Sequence, residues 1–337
     1  MVSIGEVARA AEVSSSTVSY VLSGKRPISK ETAERVHRVI RELQYRPNAG
    51  ARALASARAN VIALVVPIRA DQNVPVVMEF VTAVVNRARA FDHDVLLLTQ
   101  DEGVAGLHRV AASSMADALI VMDVQSNDPR LAVLRQLHQP AVLIGVPERA
   151  SRLSCVDLDF AAAGSLAVDH LAELGHRAIG VVGQPAAVYE RNTSYALRLL
   201  HGLREAAAAN GIDVAVSSCE SSFDALQASL DTILREQPGT TGLVVHNEAV
   251  LPALATALRQ CGRRVPQRMS VVAICPDDMA GTHEVAFTNI AIPAEELGSI
   301  AVDMVLRQLD APAAAETRLL TPVLTVRAST TKPRLRQ

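Results

Sequence analysis

Val13-Ser14-Ser15-Ser16-Thr17-Val18-Ser19-Tyr20-Val21-Leu22-Ser23-Gly24 reads as one short helix, opened by a serine cap and closed by a glycine stop. Ser14 supplies the capping oxygen, and the helix runs from Ser15 to Leu22. Upstream, Ser3 and Glu6 stand at capping-box spacing and start a helix that reaches about Ala11. Downstream, Ser-Gly-Lys-Arg-Pro at 23–27 stops the chain, and Ser29 caps a third helix. Its apolar positions Ala33, Val36, Ile40 and Leu43 recur every three or four residues and make one buried face. Tyr45-Arg46-Pro47-Asn48 ends it.

The first two helices, joined by a three-residue turn, can pack Ile4, Val7, Ala8, Val13, Val18 and Val21 together. That leaves Ser15, Ser16, Ser19 and Tyr20 on the outer face of the second helix. In a helix-turn-helix the start of the second helix enters the major groove. Hydroxyls suit that place because they reach base edges or phosphates, and a helix N-terminus attracts phosphate. Periodicity alone would fit any three-helix bundle equally well. Charge adds a second signal. Residues 1–58 hold ten Lys/Arg against five Asp/Glu, while the whole 337-residue chain carries a net charge of -2. A basic head on an acidic body implies that the head meets a polyanion.

The residues themselves go further. The stretch from Val13 to Gly24 resembles the LacI/GalR repressor family, whose pattern is VSxxTVSRVLNG. The resemblance continues through Ser29-Lys30-Glu31-Thr32, Tyr45-Arg46-Pro47-Asn48 and Ala51-Arg52-Ala53-Leu54. It extends to His170-Leu171-Ala172-Glu173-Leu174-Gly175-His176-Arg177, to Ser270-Val271-Val272 and to Thr325-Val326-Arg327-Ala328-Ser329-Thr330, and so covers nearly the whole chain. It implies a DNA-binding domain at 1–47, a hinge helix at 48–59 that folds on DNA, and a two-lobed effector-binding and dimerisation body at 60–337. The implied partners are a double-stranded operator, a small-molecule effector (a sugar or related metabolite) and a second copy of the chain. The implied DNA contacts are Ser14, Ser15, Ser16, Thr17, Ser19, Tyr20, Arg26, Tyr45, Asn48 and Leu54, with Leu54 wedged into the minor groove. Two departures stand out: Tyr20 replaces the family's Arg, and Glu12 replaces a turn Gly. Tyr offers one hydrogen bond and apolar contact where Arg pairs bidentately with guanine. A non-Gly residue at positive φ costs on the order of 1 kcal/mol.

Beyond residue 60, short apolar runs alternate with helix-length stretches. The runs are Val61–Val66, Val95–Thr99, Ala118–Met122, Ala141–Ile144, Ala178–Val182, Gly242–His246 and Ser270–Ile274. Continuous Val/Ile/Leu runs are the mark of covered parallel strands, and their alternation with helices predicts βαβ units. The fold class is therefore α/β, with an all-α helix-turn-helix head and a body of two parallel-sheet lobes. By resemblance to the family's periplasmic-binding-protein-like core, lobe one takes about 60–158 and 292–321, and lobe two about 159–290 and 322–330. Crossings fall near Val156–Ala161, Thr288–Pro293 and Leu319–Leu324, with ligand between the lobes. The chain departs from the family's sugar-binding pattern at Gly145, Leu199 and Cys275-Pro276, while Asp159 and Asn247-Glu248 fit it. The candidate effector contacts are Arg69, Gln72, Phe160, Tyr189, Arg191, Asn192, Tyr195, Arg198, Asn247, Asp277 and Asp278. Asn247 leads them, and His246 is read as a satisfied strand-end histidine.

Other classes find little support. The four cysteines have no metal or redox spacing, and no cofactor is implied. The start MVSIGEVARAAEV lacks the pattern of a secretory signal, and no apolar run is long enough to span a membrane. These features imply a reducing cytoplasm. Gly180-Val181-Val182-Gly183 is not a dinucleotide fingerprint, and there is no phosphate-binding GxxxxGK[ST]. An α/β enzyme or a free-standing solute-binding protein using the same cleft are the alternatives. Residues 331–337 carry no heptad pattern, so a dimer without an added tetramerisation helix is expected.

Overall fold

A computed structural model describes residues 2–23, 26–45, 58–113, 115–149, 152–311 and 313–333. The hinge positions Asn48 and Leu54 lie outside the described residues.

The head consists of α1 (Ile4–Ala10), α2 (Ser15–Ser23) and α3 (Lys30–Glu42). The expected caps form. Ser3 and Glu6 make a reciprocal capping box, Ser14 Oγ accepts from the Thr17 amide at 3.1 Å, and Ser29 Oγ accepts from the Thr32 amide at 3.3 Å. Val7, Ala8, Ala11, Val18, Val36 and Val39 form the core between the three helices. Arg35 Nε donates to the Ala11 carbonyl at 3.0 Å, satisfying an acceptor that the end of α1 leaves open. Glu12 sits in the turn at φ 52, the left-handed conformation that the sequence departure implies.

The body holds two six-stranded sheets. The first is built from β1 (Val61–Val65), β2 (Asp94–Leu98), β3 (Ala118–Val121), β4 (Ala141–Ile144), β5 (Ser154–Leu158) and β11 (Thr317–Leu320), in the order β11-β5-β4-β3-β1-β2. All its pairings are parallel. The second takes β6 (Ala178–Gly183), β7 (Asp213–Ser218), β8 (Gly242–Val245), β9 (Ser270–Ile274), β10 (Thr288–Ile290) and β12 (Leu324–Thr325), in the order β12-β10-β9-β8-β6-β7. Only β12 is antiparallel to its neighbour there. Each sheet carries apolar clusters on both faces, which is why its central strands are continuous hydrophobic runs.

Helices cover these faces. On the first sheet they are α4 (Val74–Arg89), α5 (Gly103–Ala112) and α6 (Arg130–Leu134). The second sheet follows with α7 (Phe160–Glu173), α8 (Ala186–Glu190), α9 (Ser194–Asn210), α10 (Phe223–Glu236), α11 (Leu251–Gln260) and α12 (Asp277–Gly281). α13 (Ala294–Asp310) returns to the first sheet, where its Leu297, Ala301 and Val305 join the core under α4. The chain thus passes between the sheets three times: after β5, after β10 and after β11. The Asp159 amide donates to the Leu320 carbonyl at 2.9 Å, tying two of the crossings together.

Two glycines set the spacing of α7 and α9. A Cβ on Gly202 would stand 1.9 Å from the Ala161 carbonyl oxygen, and one on Gly164 would stand 2.3 Å from that of Leu199. The helices touch backbone to backbone, and this holds the N-terminus of α7 and its Phe160 beside Tyr195.

Candidate DNA interface and ligand cleft

On the head, Ser14, Ser15 and Ser16 are exposed at the start of α2, with Thr17, Ser19 and Tyr20 half-buried along the same helix. Ser14 and Thr17 share a hydroxyl contact of 2.9 Å. The guanidinium of Arg26 lies over the Tyr20 ring, 5.2 Å from its centroid, so the two residues present one combined surface. Tyr45 differs from expectation. Its ring is drawn into the head core with Val36 and Val39, because the chain turns back there after α3.

In the body, the strands of both sheets point their C-terminal ends at one cavity. Open parallel sheets bind ligands at that edge, where the strand order reverses. Val66 follows β1, Met122 and Asp123 follow β3, and Gly145 follows β4; from the second sheet come Gln184 after β6 and His246 and Glu248 after β8. α4 contributes Val76, Val77 and Phe80, while Phe160 and Tyr195 close the far wall. The cavity leaves about 130 Å³ for the centres of water-sized molecules.

Of the sequence candidates, Gln72, Phe160 and Tyr195 line this cavity directly. Arg69 and Arg198 support it from behind. Arg69 pairs with Asp101 at 2.7 Å and with the cavity residue Asp123. Arg198 pairs with the cavity residue Asp157 at 2.8 Å. Arg191 and Asn192 act at the junction of the sheets. Arg191 meets Asp71 at 2.6 Å, and the Asn192 carbonyl accepts from the Ser126 amide at 2.8 Å. Beside them, Thr193 bridges Gln125 and the Ser194 amide donates to the Val124 carbonyl at 2.9 Å. These contacts form a short strap from the α8–α9 corner to the loops of the first sheet.

Four candidates are not brought to the cavity. Asn247 is consumed by main-chain groups of other residues: Nδ2 donates to the Cys219 carbonyl at 2.7 Å, and Oδ1 accepts from the Ala249 amide at 3.1 Å. Tyr189 is half-buried, and its hydroxyl accepts from the Gln184 amide at 3.1 Å. Asp277 and Asp278 flank a separate open groove beside α4. Asp277 is held by Arg327 at 2.7 Å, whose hydrogen bond keeps its carboxyl below the usual range.

His246 reverses its sequence reading. It is 1% exposed and lines the cavity, and its Nδ1 finds no partner among the described residues. Burial pushes the imidazole down to about 3, so it is neutral. Sequence reading also passed over Asn73, Phe80, Asp123, Asp157 and Gln184, and it noted Glu248 only as the second half of a pair. The Asn-Glu pair at 247–248 was the available signal, but it is the second member that lines the cavity. Burial raises the Glu248 carboxyl to about 7, only partly offset by its own backbone, by Gln184 and by Asn73 from the facing lobe. Burial also raises Asp157, against the pull of Arg198. Gly145, one of the departures noted in the sequence, has φ 130, and a Cβ there would lie 2.8 Å from Val124 Cβ. Val124 fills the room that a carboxylate would need.

Residues 3–48 match the family described as bacterial regulatory proteins, lacI family. Residues 168–330 match the periplasmic binding protein-like domain. The ribose operon repressor of Escherichia coli K12 is 27% identical, over 98% of this chain and 100% of its own. A solved complex of the transcriptional regulator CelR with cellobiose is 26% identical, with a TM-score of 0.71 over 98% of this chain and 100% of that one. The lac repressor dimer bound to operator and the anti-inducer ONPF shares the fold, with a TM-score of 0.85 at 23% identity, over 98% of this chain and 99% of that one. With the head, the paired sheets and the cleft all in place, the chain carries a domain of the lacI family of bacterial regulatory proteins ahead of a periplasmic binding protein-like domain.

Proposed function

We propose that this chain is a dimeric, sequence-specific transcriptional repressor whose grip on a palindromic operator is set by a small molecule held between the two sheets. The observation that carries this reading is the union, in one chain, of two sites. The helix-turn-helix presents Ser15, Ser16 and the Tyr20–Arg26 pair, and the cavity draws residues from both sheets. A ligand touching both sheets favours one arrangement of them over the other, which is the condition for it to shift a distant affinity. The relatives support the same reading: a ribose operon repressor, a cellobiose-bound regulator and an operator-bound dimer. The reading assigns the cleft to binding and gives it no catalytic step. It places the protein with the chromosome, in the cytoplasm.

Within this proposal, residues 1–47 read DNA, residues 48–59 form the hinge, and the remainder binds effector and dimerises. Ser14, Ser15, Ser16, Thr17, Ser19, Tyr20 and Arg26 are the DNA contacts of the head, with Asn48 and Leu54 contributed by the hinge. Removing residues 1–58 tests the assignment. The remaining body is expected to stay folded, with the melting transition of a two-sheet protein, and to lose operator binding. A body that still binds the operator with full-length affinity overturns the proposal.

A further inference from the structure

We propose that the effector carries a cationic nitrogen, a protonated or alkylated amine, seated between the aromatic wall of the cavity and the carboxylate of Glu248. This rests on reading the cleft as the effector site and specifies the chemistry of its ligand.

The first observation is an imbalance of charge. Three acidic side chains line the cavity: Asp123, Asp157 and Glu248. Asp123 has Arg69 and Asp157 has Arg198 as its own guanidinium. Glu248 has no cationic partner among the described residues. It is 8% exposed, and the Gln184 amide reaches it only at a long 3.5 Å. Its other close neighbours are the neutral Asn73 and a further acid, Glu79. A buried carboxylate without a counter-charge is costly, and a ligand cation is the group that would relieve it. An anionic ligand meets the opposite situation, since no unpaired Arg or Lys lines the cavity among the described residues.

The second observation is independent of charge. The chain has only nine aromatic residues and no Trp. Three of them, Phe80, Phe160 and Tyr195, line this one cavity. Phe160 and Tyr195 pack with ring centroids 5.4 Å apart, and the His246 ring stands edge-on to Tyr195 at 5.6 Å. His246 is neutral, so it adds ring surface without opposing positive charge, and its buried Nδ1 is open to a donor from the ligand. Aromatic faces beside a carboxylate attract ammonium groups more strongly than neutral ones, most of all when water is excluded. The small volume fits a compact ligand, for which an amino-bearing sugar or a short amino alcohol is the right size class.

Matched probes test this with the full-length protein, by calorimetric titration and thermal shift at fixed ionic strength. Glucosamine is compared with glucose, and choline with its uncharged carbon isostere. At least one charged member is expected to bind and raise the melting temperature, with affinity about tenfold or more above that of its neutral partner. Glu248→Gln is expected to erase that preference. Phe160→Leu, which keeps the carboxylate, is expected to weaken the charged probe by a larger factor than the neutral one. If neither charged probe binds, or a neutral partner binds equally well, the proposal is overturned. It also fails if Glu248→Gln folds and keeps the charge preference. Operator binding by the wild-type protein is measured in parallel. Operator binding without a charge preference rejects the amine and leaves the repressor reading standing, whereas loss of operator binding rejects that reading itself.

Discussion

Replacing Glu248 with Gln should make the unliganded protein more stable, and only above a particular pH. Burial lifts this carboxyl from its ordinary 4.5 to about 7. The folded state therefore holds the proton in a range where the unfolded chain has released it. The stability tied to that proton is fully present below about pH 4.5 and is lost as pH rises through about 7. At about 1.4 kcal/mol per pKa unit, the wild-type protein gives up about 3 kcal/mol by pH 8. Gln keeps the size and the hydrogen bonding of the protonated acid but does not titrate, so Glu248→Gln avoids that loss. The variant should match the wild type near pH 4.5 and exceed it by about 3 kcal/mol at pH 8. His246 works in the other direction: its pKa is lowered to about 3, so stability is lost as pH falls through the range between its unfolded value and 3. That contribution is common to both proteins and cancels in the comparison. Urea unfolding followed by circular dichroism at several pH values measures the difference. A variant no more stable than the wild type at pH 8, or one whose advantage is the same at pH 5 and pH 8, would refute the argument.

Three further outcomes follow from particular contacts. Gly202→Ala places a Cβ against the Ala161 carbonyl and should cost about 3 kcal/mol, at the high end for overpacking because the neighbour is backbone; a melting temperature equal to wild type would contradict the close α7–α9 contact. Asp71→Asn removes the partner of Arg191 in the strap between the sheets and should weaken effector binding by about fivefold, equivalent to about 1 kcal/mol; unchanged affinity by calorimetry would show that the strap does not favour the ligand-bound arrangement. Tyr20→Arg should move base preference toward guanine at one symmetric pair of operator positions, read by selection from random duplexes, and an unchanged profile would remove Tyr20 from the base-reading set.

The head was legible because its signals are local. Ser3, Ser14 and Ser29 sit at capping distance from the amides they accept from, and the apolar spacing marks the buried faces. The central strands were legible because burial on both faces leaves unbroken apolar runs, as in β4 and β9. β7, an edge strand, escaped the same search. Its Asp213-Val214-Ala215-Val216-Ser217-Ser218 alternates with solvent and never forms a run. The cavity was legible only in part. Phe160 and Tyr195 stood out as scarce aromatics, and Gln72 as a polar residue after β1. Asn247 has the better side chain for binding a sugar hydroxyl, but it is spent capping the turn at Glu248–Val250. His246 looked satisfied because strand-end histidines commonly find a backbone partner; here Phe160 and Tyr195 pack against the ring, and Nδ1 has no partner among the described residues. Such facts depend on which strand ends converge, and that is a property of two sheets meeting rather than of any segment.

The central claim is that one ligand site and one DNA site are thermodynamically linked. It is tested most directly by fluorescence anisotropy titration of a selected palindromic duplex with the full-length protein. The titration is run with and without a saturating amount of a small molecule that raises the protein's melting temperature. The expected result is salt-dependent binding to the duplex and a change in its affinity of about fivefold or more on adding the ligand, with the reciprocal change in ligand affinity on adding DNA. Equal DNA affinity with and without bound ligand would contradict it.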